Sequence, residues 1–269
     1  MESLFHRDGE LFVPSDAAGG PWHPELLHGG AVSGLMTFAV LEALSPWPEF
    51  RLARITVDMM RPVPKAPLAV SSRLVRDGGR VKLLEVQISA GERVLTLARA
   101  VAQRPAPAPL PDYAPRPEPA PEGPEGIAEE GIQDMLDAKG LDIPTGFHTR
   151  VVLRPLTPFD ERGQGTCWIH VPLNVVAGEP VSPLMHLGMV ADLGNGVGQL
   201  NYGNAVGTIN VDISLHLFRH PRSTWVCLES GARAEPDGMG VVNSRVFDEQ
   251  GLIGHILQTV QPNGEYSGG

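Results

Sequence analysis

The sequence predicts an α+β chain built as two like halves, each a buried helix followed by antiparallel strands. Two stretches carry the helices, 31–44 and 182–200, and both are apolar nearly all round, the mark of a helix with no solvent face. Each is followed by strand-like runs joined by short glycine-containing turns. The halves also keep step: Met60-Arg61-Pro62 closes a run after the first helix and Phe218-Arg219-His220-Pro221 closes one after the second. From there to the turns at Gly91 and Gly251 the distances are similar, a long-period likeness that suggests duplication.

Residues 1–27 read as loop, with Pro14, Gly19-Gly20-Pro21 and Pro24, and with Phe5, Phe12 and Trp22 available to cover a core edge. Leu27-His28-Gly29-Gly30 leads into the first helix, which Ser45-Pro46 ends. Strands are expected over 54–61, 68–76, 80–89 and 93–103, with hairpin connections at Asp77-Gly78-Gly79 and Ala90-Gly91-Glu92. Residues 105–124 hold nine prolines among Ala, Glu and Gly, a composition that stays extended and semi-rigid. A short helix is expected over 127–138, ended by Gly140. The second half then offers strands over 147–153 and 165–173, the second helix, and strands over 208–218, 224–234, 240–247 and 254–260. Ser182 is suited to cap that helix and Pro183 to its first turn. The expected organisation is an N-terminal domain over 1–104, a Pro-rich linker over 105–145 and a C-terminal domain over 146–263.

The 269 residues are 42% apolar, and the net charge of −10 argues against a nucleic-acid partner or an anionic membrane surface, both of which need a basic face. No apolar run approaches the ~20 residues of a membrane span. The opening residues lack the pattern of a signal peptide, so a cytoplasmic protein is expected. Cys167 and Cys227 match no metal spacing and read as small core residues.

Asp192 stands out because it lies on the apolar second helix, where a carboxylate is costly unless it is paired. It either caps the Gly194-Asn195-Gly196 turn or does chemistry. His28-Gly29-Gly30, at the start of the first helix, is either a turn or an anion-binding corner. Glycines there allow close backbone approach, and free N–H groups favour negative charge.

A buried helix wrapped by an antiparallel sheet, twice in one chain, resembles the double hotdog fold. The chain is similar to the acyl-CoA thioesterases of the thioesterase II-like family. The likeness rests on His28-Gly29-Gly30, Met60-Arg61-Pro62 and Val75-Arg76-Asp77-Gly78 in the first half. In the second half it rests on Ala191-Asp192-Leu193, Leu217-Phe218-Arg219 and Leu257-Gln258-Thr259. It implies hydrolysis of an acyl-CoA or acyl-carrier-protein thioester without metal or organic cofactor, by a chain that assembles as a dimer or larger. It further implies that Asp192 orients or deprotonates a water, helped by a hydroxyl residue and a Gln. The Gln position falls on Gln258. The hydroxyl position falls on Asn210, with Thr208 as the fallback should the register differ by two. An Asn can still donate to and accept from a water. His28, Gly29 and Gly30 would bind the thioester oxygen.

Related single-hotdog enzymes pair the glycines of one subunit with the acid of the other. Here the acid position of the first half falls on Thr37, and the glycine position of the second half falls near Pro183-Leu184-Met185. One composite site per chain is therefore expected, from Gly29/Gly30 and Asp192, with its mirror image dead. Met36, Phe38, Met59, Met60 and Met185 are candidates for an acyl pocket, and Arg54, Arg61, Arg73 and Arg219 for phosphate contacts. Two other readings stand beside hydrolysis. One is a non-catalytic thioester-binding protein, which the Asn at 210 keeps open. The other is an enoyl-thioester hydratase or dehydratase using Asp212 and His216.

Overall fold

The computed structural model describes residues 1–134, 143–201 and 207–263. Fourteen strands among these residues form one sheet, and every neighbouring pair but one is antiparallel. In the first half the strands are β1 (Ser3–Asp8), β2 (Leu11–Pro14), β3 (Arg51–Asp58), β4 (Leu68–Asp77), β5 (Val81–Ala90) and β6 (Arg93–Gln103). In the second half they are β7 (Val152–Pro155), β8 (Gln164–His170), β9 (Asn174–Val176), β10 (Thr208–Asn210), β11 (Asp212–Leu217), β12 (Val226–Ala234), β13 (Gly240–Asp248) and β14 (Gly251–Pro262). The order across the sheet is β7-β8-β12-β13-β14-β11-β3-β6-β5-β4-β2-β1-β9, with β10 also on β14.

The halves join where β3 pairs with β11, Thr56 opposite Ser214. The two hydroxyls meet there at 2.8 Å. They also trade an edge, because β9 of the second half runs parallel to β1 of the first.

The helices lie on the inner face of this curved sheet. Helix α1 (Gly29–Leu44) is buried along almost its whole length and packs on β3, β4 and β5. Helix α2 (Pro183–Val190) is capped by the Ser182 hydroxyl, which accepts from Met185 N, with Pro183 in the first turn as expected. The second apolar stretch is not one helix. A 3-10 turn, Ala191–Leu193, follows α2, and then a single turn α3 (Gly194–Val197). α1 and α2 pack directly on each other, and glycines set the approach: a side chain at Gly34 would strike Met189, and one at Gly188 would strike Thr37. Strand alternation puts Ile55 and Val57 of β3, and Ile213 and Leu215 of β11, against these helices.

Several local expectations change. The N-terminal stretch is a β-hairpin turning at Gly9, whose φ of 60° suits glycine. Residues 147–153 begin with a 3-10 turn, His148–Arg150, before β7. Residue Val211 interrupts the run over 208–218, separating β10 from β11. Of the helix expected over 127–138, residues 127–131 are not helical, helical backbone begins at Ile132, and 135–138 lie outside the described residues. The Pro-rich stretch lies against the outer face of the second half. The Trp168 indole N–H donates to Glu122 O (2.6 Å) and Leu252 N donates to Glu118 O (3.0 Å), so Trp168, Cys227 and Phe247 are enclosed beneath it. Burial pushes the Cys167 thiol up to about 12 and raises that of Cys227 as well, which makes both inert core groups.

Two buried polar groups tie the second half to pH. Burial alone would raise the Asp248 carboxyl, but two Arg219 hydrogen bonds (2.6 and 2.5 Å) and the N–H groups of Arg222 and Gln250 outweigh it and hold the group below its ordinary range. His186 is 1% exposed and accepts the Val171 N–H at Nε2 (2.7 Å). Burial first, then the stacked His170 ring, lower its pKa to about 3. The folded value is below the unfolded one, so the unfolded chain takes up the proton first and stability is lost as pH falls from about 6.5 towards 3. Chemical denaturation at pH 7, 6, 5 and 4 should show this decline. His186→Gln, which can still accept the Val171 N–H, should remove up to about 1.4 kcal/mol per pH unit of the slope. An unchanged slope would dismiss His186 as its source.

Candidate functional site

The residues singled out at the N-terminus of α1 and the C-terminus of α2 meet. Asp192 is carried on the 3-10 turn after α2 and is 8% exposed. Its backbone carbonyl accepts from Asn210 Nδ2 (3.0 Å) and from Gln258 Nε2 (3.1 Å). Its carboxylate accepts a second bond from Asn210 Nδ2, at 2.7 Å to Oδ1. Asn210 ends β10, and Gln258 points inward from β14 with 0% exposure. The two amides therefore fix the turn, and Asn210 offsets part of the cost of burying the carboxylate. Each amide turns its donor to Asp192, which leaves Asn210 Oδ1 and Gln258 Oε1 as buried acceptors without a protein partner among the described residues. A side chain at Gly194 would fall 2.5 Å from Gln258 Oε1, so this residue too must be glycine for the Gln to lie where it does.

The other oxygen of the carboxylate, Oδ2, is 3.1 Å from His28 Nδ1. His28 is the N-cap of α1, and Nδ1 also takes the Gly30 N–H at 2.9 Å. One ring nitrogen has one in-plane position, so the two contacts are alternatives. When Nδ1 is bare it caps the helix. When it carries a proton directed at Asp192, the Gly30 N–H is released. The Gly29 N–H, first of the helix, has no protein partner among the described residues. A side chain at Gly29 would fall 2.5 Å from Asp192 Oδ1, and one at Gly30 would fall 2.6 Å from the Phe147 ring and 2.9 Å from Met189 O. Both glycines are thus required by specific close approaches, and the free amide of Gly29 lies next to a carboxylate from the other half.

Thr208 does not reach Asp192. Its hydroxyl donates to Asn195 Oδ1 (2.7 Å), so the position beside the carboxylate is Asn210. Thr37, the first-half counterpart of Asp192, is fully buried and donates its hydroxyl to Ser33 O (2.9 Å). Gly188 faces it, in place of the expected Pro183–Met185 segment. The mirror position thus has a hydroxyl already bonded to its own helix where the other has a carboxylate. Asp212 accepts the Thr259 N–H (2.7 Å) on the outer face, and His216 is exposed on that same face, so this pair lies across the sheet from the helices. Of the arginines, Arg219 is committed to Asp248 and Arg73 to Glu85, while Arg54 lies on the outer face. Met36 and Phe38 are buried core, Met59 and Met185 are half-buried, and Met60 is exposed.

Phe147 and His148 complete the corner, and nothing in the sequence pattern marked them. His28 lies between them, its ring centroid 4.7 Å from Phe147 and 5.8 Å from His148. They arrive on the 3-10 turn held by Phe147 N donating to Gly19 O (2.9 Å). Burial and then the neighbouring His28 lower the His148 pKa to about 4, so this ring is neutral near pH 7. No cluster of metal-ligating side chains occurs among the described residues, and no helix among them is long and apolar enough to cross a membrane.

Two family models match the chain. The acyl-CoA thioesterase N-terminal domain covers residues 18–104, and the acyl-CoA thioesterase C-terminal domain covers 111–261. Comparison with curated proteins finds no match. Among solved structures, the chain is similar to a conserved protein of unknown function with a hot dog fold from Alicyclobacillus acidocaldarius. The two are 16% identical over 96% of this chain and 95% of that one, with a TM-score of 0.69. It is also similar to an acyl-CoA thioesterase II from Mycobacterium marinum, at 15% identity over 87% and 90% of the two chains and a TM-score of 0.62. At such identities these likenesses speak to the fold, which is the double hotdog. The two family models together reach from residue 18 to residue 261, and the chain belongs to the acyl-CoA thioesterase family, a family of thioester-hydrolysing enzymes.

Proposed function

We propose that the chain hydrolyses an acyl-thioester to a free acid and a thiol at one composite site, with water as the nucleophile and Asp192 as its base. The observation that carries this reading is the placement of the Asp192 carboxylate beside the unpartnered Gly29 N–H. A base and an oxyanion donor next to each other are what acyl transfer to water needs. The water gives one hydrogen bond to the Asp192 carboxylate and the other to the free carbonyl oxygen of Asn210, while Gln258 fixes the turn that carries Asp192. As it attacks the thioester carbon, one of its protons passes to the carboxylate. The carbonyl oxygen gains charge against the Gly29 N–H at the positive end of α1. Collapse of the tetrahedral intermediate breaks the carbon–sulfur bond, and the proton on Asp192 goes to the departing thiolate. With its Nδ1 proton turned to Asp192, His28 frees the Gly30 N–H as a second donor to the same oxygen. The two halves are read as domains over 1–104 and 146–263, with 105–145 between them, and each supplies one part of the site.

Asn at 210 is compatible with this chemistry. Its amide donates to the carboxylate, as a hydroxyl would, and it keeps an acceptor for the water. That supports an active enzyme over a binding protein.

Thiol release from a panel of short, long and aromatic acyl-CoAs tests the reaction. Wild-type protein should hydrolyse at least one member. Asp192→Asn should lower kcat by roughly a hundred- to ten-thousand-fold while substrate still binds. Full activity in that variant would remove Asp192 from the mechanism, and binding without hydrolysis by the wild type would favour the binding-protein reading. Gly29→Ala provides a separate test. The added methyl must displace the carboxylate, and kcat/KM should fall about a hundredfold in a protein that remains folded by circular dichroism. Undiminished activity would show that the close approach is not needed.

A further inference from the structure

The outer face of the sheet carries a cluster of basic side chains, well away from Asp192. Alternation along β14 sends Gln258 inward to Asp192 and His255 outward, so the two faces are chemically separate. Pairing then lines up four groups across the four central strands. Arg54 on β3 stands opposite His216 on β11, His216 opposite His255 on β14, and His255 opposite Arg245 on β13. Arg245 is neutralised by Glu229 and Glu118. Arg54 has no ion pair among the described residues, and its Nε is shielded from water without a partner.

Arg54, His216 and His255 line a shallow groove of about 350 Å³ together with Val101, Leu217 and Phe218, and among the described residues no carboxylate lines it. Phe218 is 64% exposed at the rim, a large apolar ring left in water. A guanidinium and two imidazoles beside an open aromatic face suit a ligand that joins a phosphate to a planar ring.

We propose that this groove, at the seam between the halves and across the sheet from the hydrolytic site, binds a nucleotide. Its phosphate lies on Arg54 with His216 and His255, and its base lies on Phe218. The chemistry is shared by a free adenine nucleotide and by the nucleotide end of a coenzyme A molecule, the latter held as a second, unreacting ligand.

Titration calorimetry of the full chain with ADP, adenosine, inorganic phosphate and coenzyme A tests this. ADP should bind, and adenosine and phosphate should each bind more weakly, because each supplies half of the contact. Arg54→Gln and Phe218→Ala should each weaken ADP about tenfold or more. Arg54→Gln should leave acyl-thioester hydrolysis at saturating substrate unchanged, and Asp192→Asn should leave ADP binding unchanged, which separates this site from the hydrolytic one. Coenzyme A that displaces ADP identifies the coenzyme as a source of the ligand, and ADP binding without such competition identifies a free nucleotide. Phe218 is solvent-exposed, so its truncation tests the site even if the Arg54 variant folds poorly. Absence of ADP binding, or binding indifferent to both substitutions, overturns the proposal.

Discussion

The carboxylate of Asp192 occupies the space in which a side chain at position 29 would lie. That single close approach organises the middle of the molecule. It requires the N-terminus of α1 and the C-terminal end of α2 to come together from opposite halves. It requires glycine at 29 for the carboxylate, at 30 for Phe147, and at 34 and 188 for the packing of the two helices. It also requires the halves to share one sheet, which β3 and β11 supply through their direct pairing. A buried carboxylate in such a place is costly, and its neighbours are chosen accordingly: two side-chain amides on its backbone carbonyl, one of them also on Oδ1, and an imidazole at Oδ2.

The asymmetry between the halves follows from the same contact. Where the second half has Asp192, the first has Thr37, whose hydroxyl is spent on its own helix. Where the first half has a glycine-rich helix start, the second has Ser182 and Pro183, a capped and closed helix end. A duplicated fold offers two equivalent places between its helices. Here one keeps a carboxylate beside a free amide, and the other is filled with packed side chains.

Much of this was legible because it is written in local chemistry. The helices declare themselves by apolar residues on every side, and the hairpins by their glycine turns. Asp192 declares itself as a lone charge on an apolar stretch. Asn210 and Gln258 are reached from sequence only through family likeness and counting along strands; in the structure each side-chain amide bonds to Asp192. What stayed hidden depends on distant partners. Strand β9 is a short edge strand whose partner among the described residues is β1, some 170 residues away in sequence, while β1 is also held by its hairpin with β2. Phe147 and His148 follow a proline-rich stretch and carry no periodic signal. Their position against His28 is set by docking on Gly19, which no local pattern encodes. The break between α2 and the turn bearing Asp192 was also hidden, since an apolar run looks the same whether its backbone is one helix or three short pieces.

The most direct test of a single composite site is a crystal structure of the chain with a 2-oxoalkyl-CoA, a non-hydrolysable thioether that keeps a ketone carbonyl one methylene from the sulfur. One reacting group per chain is expected, its carbonyl oxygen about 3 Å from Gly29 N and its carbonyl carbon facing the water position between Asp192 and Asn210. An acyl group seated at Thr37 and Gly188, or two equivalent acyl groups in one chain, would contradict it.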